Sequence, residues 1–134
     1  MLSSAFSQLL ADLATVLQTE PFVLEKGKEC ALAIDDCVVC IEYLPESEQV
    51  LLYAEVMDLP EQGRADLYRT LLEGQIFFVR TGGAALAVSE RLNKVFVQIM
   101  HPLAALDVTS LSALLEKMVN LVAYWRRECG VNAA

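Results

Sequence analysis

The sequence is poor in the residues from which most metal centres and acid–base sites are built. Its 134 residues include one histidine, and its 10 lysines and arginines face 18 aspartates and glutamates, a net charge of -8. Such a charge opposes binding to phosphate backbones or anionic lipids, so we expect neither nucleic acid nor membrane as a partner. The N-terminus lacks the basic and apolar regions of a signal peptide, and no apolar run approaches the roughly 18 residues of a membrane span. We therefore expect a cytoplasmic protein with reduced thiols.

The motifs of common active sites are also missing. No serine stands in a nucleophile-elbow context, and residues 80–83 lack the Lys-Ser/Thr pair of a phosphate-binding loop. The single histidine, His101, precedes Pro102 at the end of a predicted strand, where a structural role is the ordinary one. We predict that the protein is not an enzyme and has no catalytic residues, cofactor or metal ion.

Three segments have the spacing of amphipathic helices: residues 3–18, 64–79 and 108–128. Asp107 or Thr109 can cap the third helix. The last turn of the second segment, Ile-Phe-Phe-Val, is apolar nearly all round, which calls for burial on more than one side.

Strand-like runs with turn residues between them occupy residues 22–25, 30–34, 37–43, 50–56, 84–89 and 94–100. Short connections between consecutive strands imply antiparallel hairpins. We therefore predict one domain spanning residues 1–134 and an α+β fold, in which a twisted antiparallel sheet carries three helices in the order α-β-β-β-β-α-β-β-α.

The cysteines raise the question of a metal or redox site, because Cys37 and Cys40 form a CxxC. A redox CxxC needs a helix N-terminus, whereas the Val-Val spacer and the following Ile-Glu-Tyr have the composition of a strand. Residues three apart in a strand point to opposite faces, so the two thiols should diverge. Cys129 is isolated in the sequence. We interpret the cysteines as small apolar residues.

The first predicted hairpin is apolar on both faces. Asp35 and Asp36 fit a two-residue turn, which places Ile34 opposite Cys37. An antiparallel sheet in a monomer usually keeps one face polar. Either the second helix covers the second face, or that face serves as a subunit interface and docking surface, and the pattern favours the latter.

In this order the features resemble the class I type III secretion chaperones, the CesT or Tir chaperone family of small acidic homodimers. The resemblance spans about residues 2–128. It is carried by Leu-Ala-Ile-Asp-Asp at 32–36, by Leu-Leu-Glu-Gly-Gln-Ile-Phe-Phe at 71–78 before a Gly-Gly pair, and by His-Pro-Leu at 101–103. None of these stretches is a catalytic signature.

The resemblance implies a homodimer formed largely through the second helix and neighbouring strands. The interface residues it suggests are Leu67, Leu71, Leu72, Ile76 and Phe78. It also implies that the N-terminal chaperone-binding segment of a secreted effector wraps the dimer in extended form. The candidate effector-binding residues are Leu13, Val16, Leu17, Phe22, Leu24, Leu32 and Ile34. Residues 22–25 are the expected edge strand for such a segment.

The function so implied is that of a cytoplasmic bacterial chaperone that keeps an effector soluble and secretion-competent until a secretion ATPase releases it. The acidic surface would help to keep an apolar dimer in solution. The alternatives are a regulatory protein of the same fold, which binds a secretion-system regulator, and a small ligand-binding α+β domain.

Overall fold

The computed structural model describes residues 4–131 of the chain. Within that range, a five-stranded antiparallel sheet of order β1-β2-β3-β5-β4 carries three α-helices. The elements are α1 (Ser4–Leu17), β1 (Glu29–Ile34), β2 (Cys37–Leu44), β3 (Gln49–Asp58), α2 (Arg64–Gly74), β4 (Ala85–Ser89), β5 (Lys94–Pro102) and α3 (Val108–Glu128). Short 3-10 turns lie at Ile76–Phe78 and Leu103–Ala105. The α+β class is confirmed, with one strand fewer than predicted.

One face of the sheet forms the core together with α1 and α3. Side chains alternate between the faces of a strand, so every second residue of β2 and β3 points to this helix side. The ring of Phe6 on α1 stacks on Tyr43 of β2 with centroids 5.3 Å apart. The fully buried side chains include Val39, Ile41, Leu52, Val97, Met118 and Trp125. These contacts fix both helices to the sheet.

The β1–β2 hairpin has the predicted register, with Ile34 paired to Cys37. Asp35 in the turn takes a left-handed φ of 53°, which aspartate tolerates better than most residues. Arg126 of α3 donates a hydrogen bond to the carbonyl oxygen of Asp36 at 3.0 Å. The hairpin turn is therefore attached to the C-terminal end of α3.

The third helix has the predicted bounds, and Asp107 is its cap. The Asp107 carboxylate accepts a hydrogen bond from the Ser110 backbone N–H at 2.8 Å, and the Ser110 hydroxyl accepts from the Asp107 N–H at 2.9 Å. Hydrogen bonding of the carboxylate to the backbone N–H of Ser110, and then to its hydroxyl, lowers the pKa of the Asp107 carboxyl. The predicted first residue of helix one, Ser3, lies outside the described residues. None of the helices in residues 4–131 has the length and apolarity that crossing a membrane requires.

The predicted strand at residues 22–25 is wrong. Only Glu25 pairs, with Glu29, through an isolated bridge. Phe22 and Leu24 are instead held by packing against the core. Pro21 lacks the N–H that a longer ladder would need. The segment is therefore not an edge strand, and the edges of the sheet are β1 and β4.

The predicted second helix is too long at its C-terminal end. The α-helix ends at Gly74, and the next turn contains Phe77 and Phe78 with left-handed φ values of 54° and 58°. The side chain of Gln75 accepts a hydrogen bond from the Leu86 N–H of β4 at 2.9 Å. Helical periodicity carries no signal for this contact between distant parts of the chain.

Helix α2 lies beside β4, and residues 4–131 leave the second face of the sheet uncovered. A Cβ atom added at Gly74 would stand 2.1 Å from Cη2 of Trp125, so α2 packs closely on α3. On the other face, Val38 is 53% exposed and Met100 is also exposed. The alternative in which the second helix covers that face is therefore wrong.

Candidate binding surfaces

The residues predicted to bind an effector lie on the last turn of α1, on the segment that follows it, and on β1. Val16 and Leu17 are exposed, while the other surface members are partly buried and pack against the core. Leu13 differs, because it is fully buried and offers no area to another chain. We call the remaining six the β1-side surface: Val16, Leu17, Phe22, Leu24, Leu32 and Ile34. Their role in binding stays a prediction.

The outer backbone of β1 is partly unpaired. Across a two-residue turn, the pair Ile34–Cys37 and every second pair after it exchange hydrogen bonds within the hairpin. The N–H and C=O groups of Ala31 and Ala33 therefore point outward. Among the described residues, no loop or turn backbone group bonds to them. This edge is a short template for an added strand.

At the opposite edge, β4, the turn after α2 occupies one outward backbone group. The bond from the Leu86 N–H to the Gln75 side chain occupies a donor that an added strand would need. A cavity of about 410 Å³ lies between α2 and β4, and Tyr68, Leu72 and Val88 are among its lining residues. At this edge the Leu86 N–H is therefore occupied, and a pocket lined by apolar side chains lies beside it.

The residues predicted to form the dimer interface surround this second edge. Leu72, Ile76 and Phe78 are exposed, whereas Leu67 is partly buried and Leu71 is buried in the core. The prediction missed Phe77, which is 86% exposed, and Val79. Their signal was present in the sequence, because residues 76–79 are apolar without interruption. Their part in an interface, like that of the predicted set, is untested.

Residues 76–79 form what we call the apolar turn, and all four are exposed. A left-handed conformation costs an ordinary residue roughly 1–2 kcal/mol, and here two phenylalanines adopt it in succession. Strain of this kind persists where the surroundings impose it, and it is concentrated at functional sites. On the C-terminal side, the guanidinium of Arg80 lies 5.0 Å from the ring centre of Trp125, which anchors the chain after the turn.

The helix-free face of the sheet has a cavity of about 370 Å³ beside β1. Ala31, Cys40 and Tyr53 form one cross-strand row in it, and Glu29 stands directly opposite Glu42 in the next row. Burial, with the nearby thiol of Cys40 and the two carboxylates, raises the pKa of Tyr53 to about 12. Sequence reasoning missed this group of residues, since only the pairing of three strands assembles it.

The two cysteines of the CxxC face opposite sides of β2, as predicted. Cys37 lies in the helix-side core, and Cys40 lines the cavity on the other face. Burial raises the pKa of Cys30 to about 11 and also raises the pKa of the other three thiols. Protonated thiols are poor nucleophiles and poor metal ligands. Within residues 4–131, no group of three or more His, Cys, Asp or Glu side chains is placed to hold a metal ion.

Several solved structures share this fold. A chain of the ExsC–ExsE complex has a TM-score of 0.80 at 24% identity, covering 94% of this chain and 94% of that one. A chain of the HopA1–SchA chaperone–effector complex has a TM-score of 0.76 at 18% identity, covering 92% and 94%. A chain of the Yersinia pestis type III secretion chaperone SycH in complex with a stable fragment of YscM2 has a TM-score of 0.70 at 19% identity, covering 89% and 98%. At these identities the likeness establishes the fold.

Sequence comparison identifies the family. No curated protein matches the chain significantly. The model of the Tir chaperone protein (CesT) family matches residues 8–126, a range that includes both edges of the sheet, the apolar turn and most of α1 and α3. The chain belongs to the Tir chaperone protein (CesT) family. The resemblance seen in the sequence is thereby confirmed, and a family of chaperones is not a class of enzymes.

Proposed function

We propose that this protein is a homodimeric chaperone of the bacterial cytoplasm that binds the N-terminal segment of a type III secreted effector. It keeps that segment, the guest, soluble and secretion-competent by binding without turnover and needs no cofactor. A secretion ATPase then releases the guest. The observation that carries the proposal is a pair of edge surfaces on a sheet whose core is otherwise well packed: free backbone groups at β1 and exposed apolar side chains beside β4.

The β1 edge has the properties that an extended guest requires. Two alanines present free N–H and C=O groups, and side chains of the β1-side surface flank them on the helix side. A guest strand would gain main-chain hydrogen bonds, and every second guest side chain would meet apolar surface. An unfolded segment is suited to this edge because its backbone groups are not yet paired.

The β4 edge has the properties of a subunit interface. The exposed side chains of Leu72, Ile76 and Phe78 lie close in sequence, and a lone protomer would leave them in water. A contiguous apolar patch on a soluble protein marks an interaction site. A two-fold interface uses the same patch on both copies, so one patch per chain is sufficient.

The similar structures also support the proposal. The ExsC, SchA and SycH structures are all complexes with a second protein, and the SchA complex is described as chaperone with effector. Transfer of that activity to this chain rests on shared fold and family, together with the free backbone of β1 and the exposed apolar side chains beside β4.

Reconstitution with a guest tests the proposed function. The tagged protein is crosslinked in its native host, and the N-terminal fragment of each captured secreted protein is then produced and titrated against purified chaperone. We expect two copies of the chain to bind one fragment by light scattering, and Val16→Glu to weaken binding at least about tenfold. Ala11→Glu, on the exposed side of the same helix, is the matched control.

Two results would count against this function. A chain that stays monomeric and binds no N-terminal fragment is not an effector chaperone. A captured partner that regulates the secretion system, and is not itself an effector, would favour the regulatory alternative.

A further inference from the structure

The backbone pairing between β1 and the segment before it stops after one bridge. Glu25 and Glu29 exchange two backbone hydrogen bonds of 2.8 and 3.2 Å, and continuing that register would bring Val23 opposite Ala31. That next rung is not formed among the described residues. Both alanines of the outer edge, Ala31 and Ala33, therefore remain available to another strand.

An added strand at this edge would place its side chains alternately on the two faces of the sheet. A guest residue opposite Ala31 shares the face of Ala31 and so lies over the cavity beside β1. Its two neighbours along the guest lie on the helix side, toward Leu32 and the β1-side surface. The two faces therefore demand different guest chemistry.

The cavity is acidic and has no basic partner within the described chain. Glu29 and Glu42 are directly opposed across the β1–β2 ladder, and Glu25 is bridged to Glu29. None of the three takes part in the ion pairs formed by residues 4–131. Like charges directly opposite each other destabilise a sheet, so a cation placed between them would relieve a cost already present.

A long basic side chain fits this arrangement. The small side chains of Ala31 and Cys40 leave room for an alkyl stem, and a guanidinium or ammonium at its end would reach the carboxylates. A guanidinium can bond a carboxylate with two parallel N–H donors. A neutral side chain of equal length would leave the opposed carboxylates uncompensated.

We propose that the free edge of β1 takes an extended guest strand in which the residue facing the helix-free side is arginine or lysine, held between Glu29 and Glu42. The guest sequence it selects alternates, with apolar residues toward the helix side and a basic residue toward the cavity. This inference rests on the proposed function and adds to it a rule for the composition of the guest.

Peptide binding tests the rule without an identified effector. Two synthetic probes, one of alternating valine and arginine and one of alternating valine and glutamine, are titrated against the full chain by fluorescence anisotropy. We expect the arginine probe to bind at least about tenfold more tightly, because only it supplies charge-assisted bonds. The double variant Glu29→Gln/Glu42→Gln should remove this preference, so that the two probes bind it with equal affinity.

A charge-matched control distinguishes binding by the cavity from attraction to the negative charge of the whole protein. The variant Glu46→Gln/Glu61→Gln removes the same charge from two exposed positions outside the cavity and should keep the preference. Equal affinity of the two probes, or equal loss of preference in both double variants, would overturn the proposed cavity. If neither probe binds while the native effector fragment does, the edge proposal fails and the chaperone function stands.

Discussion

The two edge strands of the sheet, β1 and β4, differ in their free backbone groups and in the side chains around them. At β4, the Gln75 side chain occupies an outward backbone donor, and a strained apolar turn stands nearby. At β1, two alanines leave their backbone groups open, and carboxylates stand over the adjacent cavity. An edge bordered by exposed apolar side chains suits a rigid partner of fixed shape, whereas free backbone groups suit a partner that arrives unfolded. The difference supports the proposal of two kinds of partner, one at each edge.

The largest effect is expected from a charge in the apolar turn. Phe78→Glu would place a carboxylate in the proposed subunit interface, so we expect the dimer to dissociate at least about a hundredfold more readily. Leu92→Glu is the matched control, since Leu92 is 48% exposed against 55% for Phe78 and lies in the β4–β5 turn. Light scattering over a dilution series measures the change, and an unaltered dimer in Phe78→Glu would move the interface elsewhere.

The next effect concerns the position of α2 at the β4 edge. Gly74→Ala inserts a methyl group where the Trp125 ring already stands, which overpacks the core by about 3 kcal/mol, offset by about 1 kcal/mol of helix propensity. Urea denaturation should show a loss of roughly 2 kcal/mol. Glu73→Ala, at the exposed neighbouring position, should change the free energy of unfolding by less than about 0.5 kcal/mol. Equal effects of the two variants would contradict the close packing of Gly74 on Trp125.

Local sequence features predict much of the fold, and the predictions that failed concern contacts between distant parts of the chain. The bounds of α3 were predictable because Asp107 caps it and Gly130 follows it. The hairpin register was predictable because a two-residue turn permits one pairing. The end of α2 was not, since Gln75 bonds to a strand that comes later in the chain. The acidic cavity escaped prediction because the first strand of the predicted hairpin began at residue 30, which left Glu29 outside the hairpin, and because Tyr53 joins the cavity only when β3 pairs with β2.

A smaller effect tests the hydrogen bond between the Gln75 side chain and the Leu86 N–H of β4. Gln75→Ala leaves the Leu86 N–H without its acceptor, which should lower the free energy of unfolding by about 1 kcal/mol. The stronger signature is hydrogen exchange at the Leu86 amide, which should accelerate in the variant. Gln62→Ala, at an exposed position before α2, serves as control. An unchanged Leu86 exchange rate would mean that another group protects this edge.

At neutral pH the smallest effect is that of the Cys30 thiol at the β1 side, because its contribution to stability changes only in alkaline solution. Burial raises its pKa from 9.0 to about 11 in the folded protein, so the unfolded chain loses the proton first as pH rises. The contribution of Cys30 to stability is complete below pH 9 and falls as pH rises toward about 11. Urea midpoints measured across this range should fall more steeply for the wild type than for Cys30→Ala. Parallel slopes would show that Cys30 ionises equally easily in both states.

Amide hydrogen exchange by NMR, with and without a bound effector fragment, tests most directly the claim that the Ala31 and Ala33 amides of β1 are free and that the Leu86 amide of β4 is occupied. We predict that the Ala31 and Ala33 amides exchange rapidly in the protein without a bound fragment and slow at least about a hundredfold on binding, while the Leu86 amide is slow in both states. Slow exchange at Ala31 and Ala33 without a guest, or no change when the fragment binds, would contradict the account.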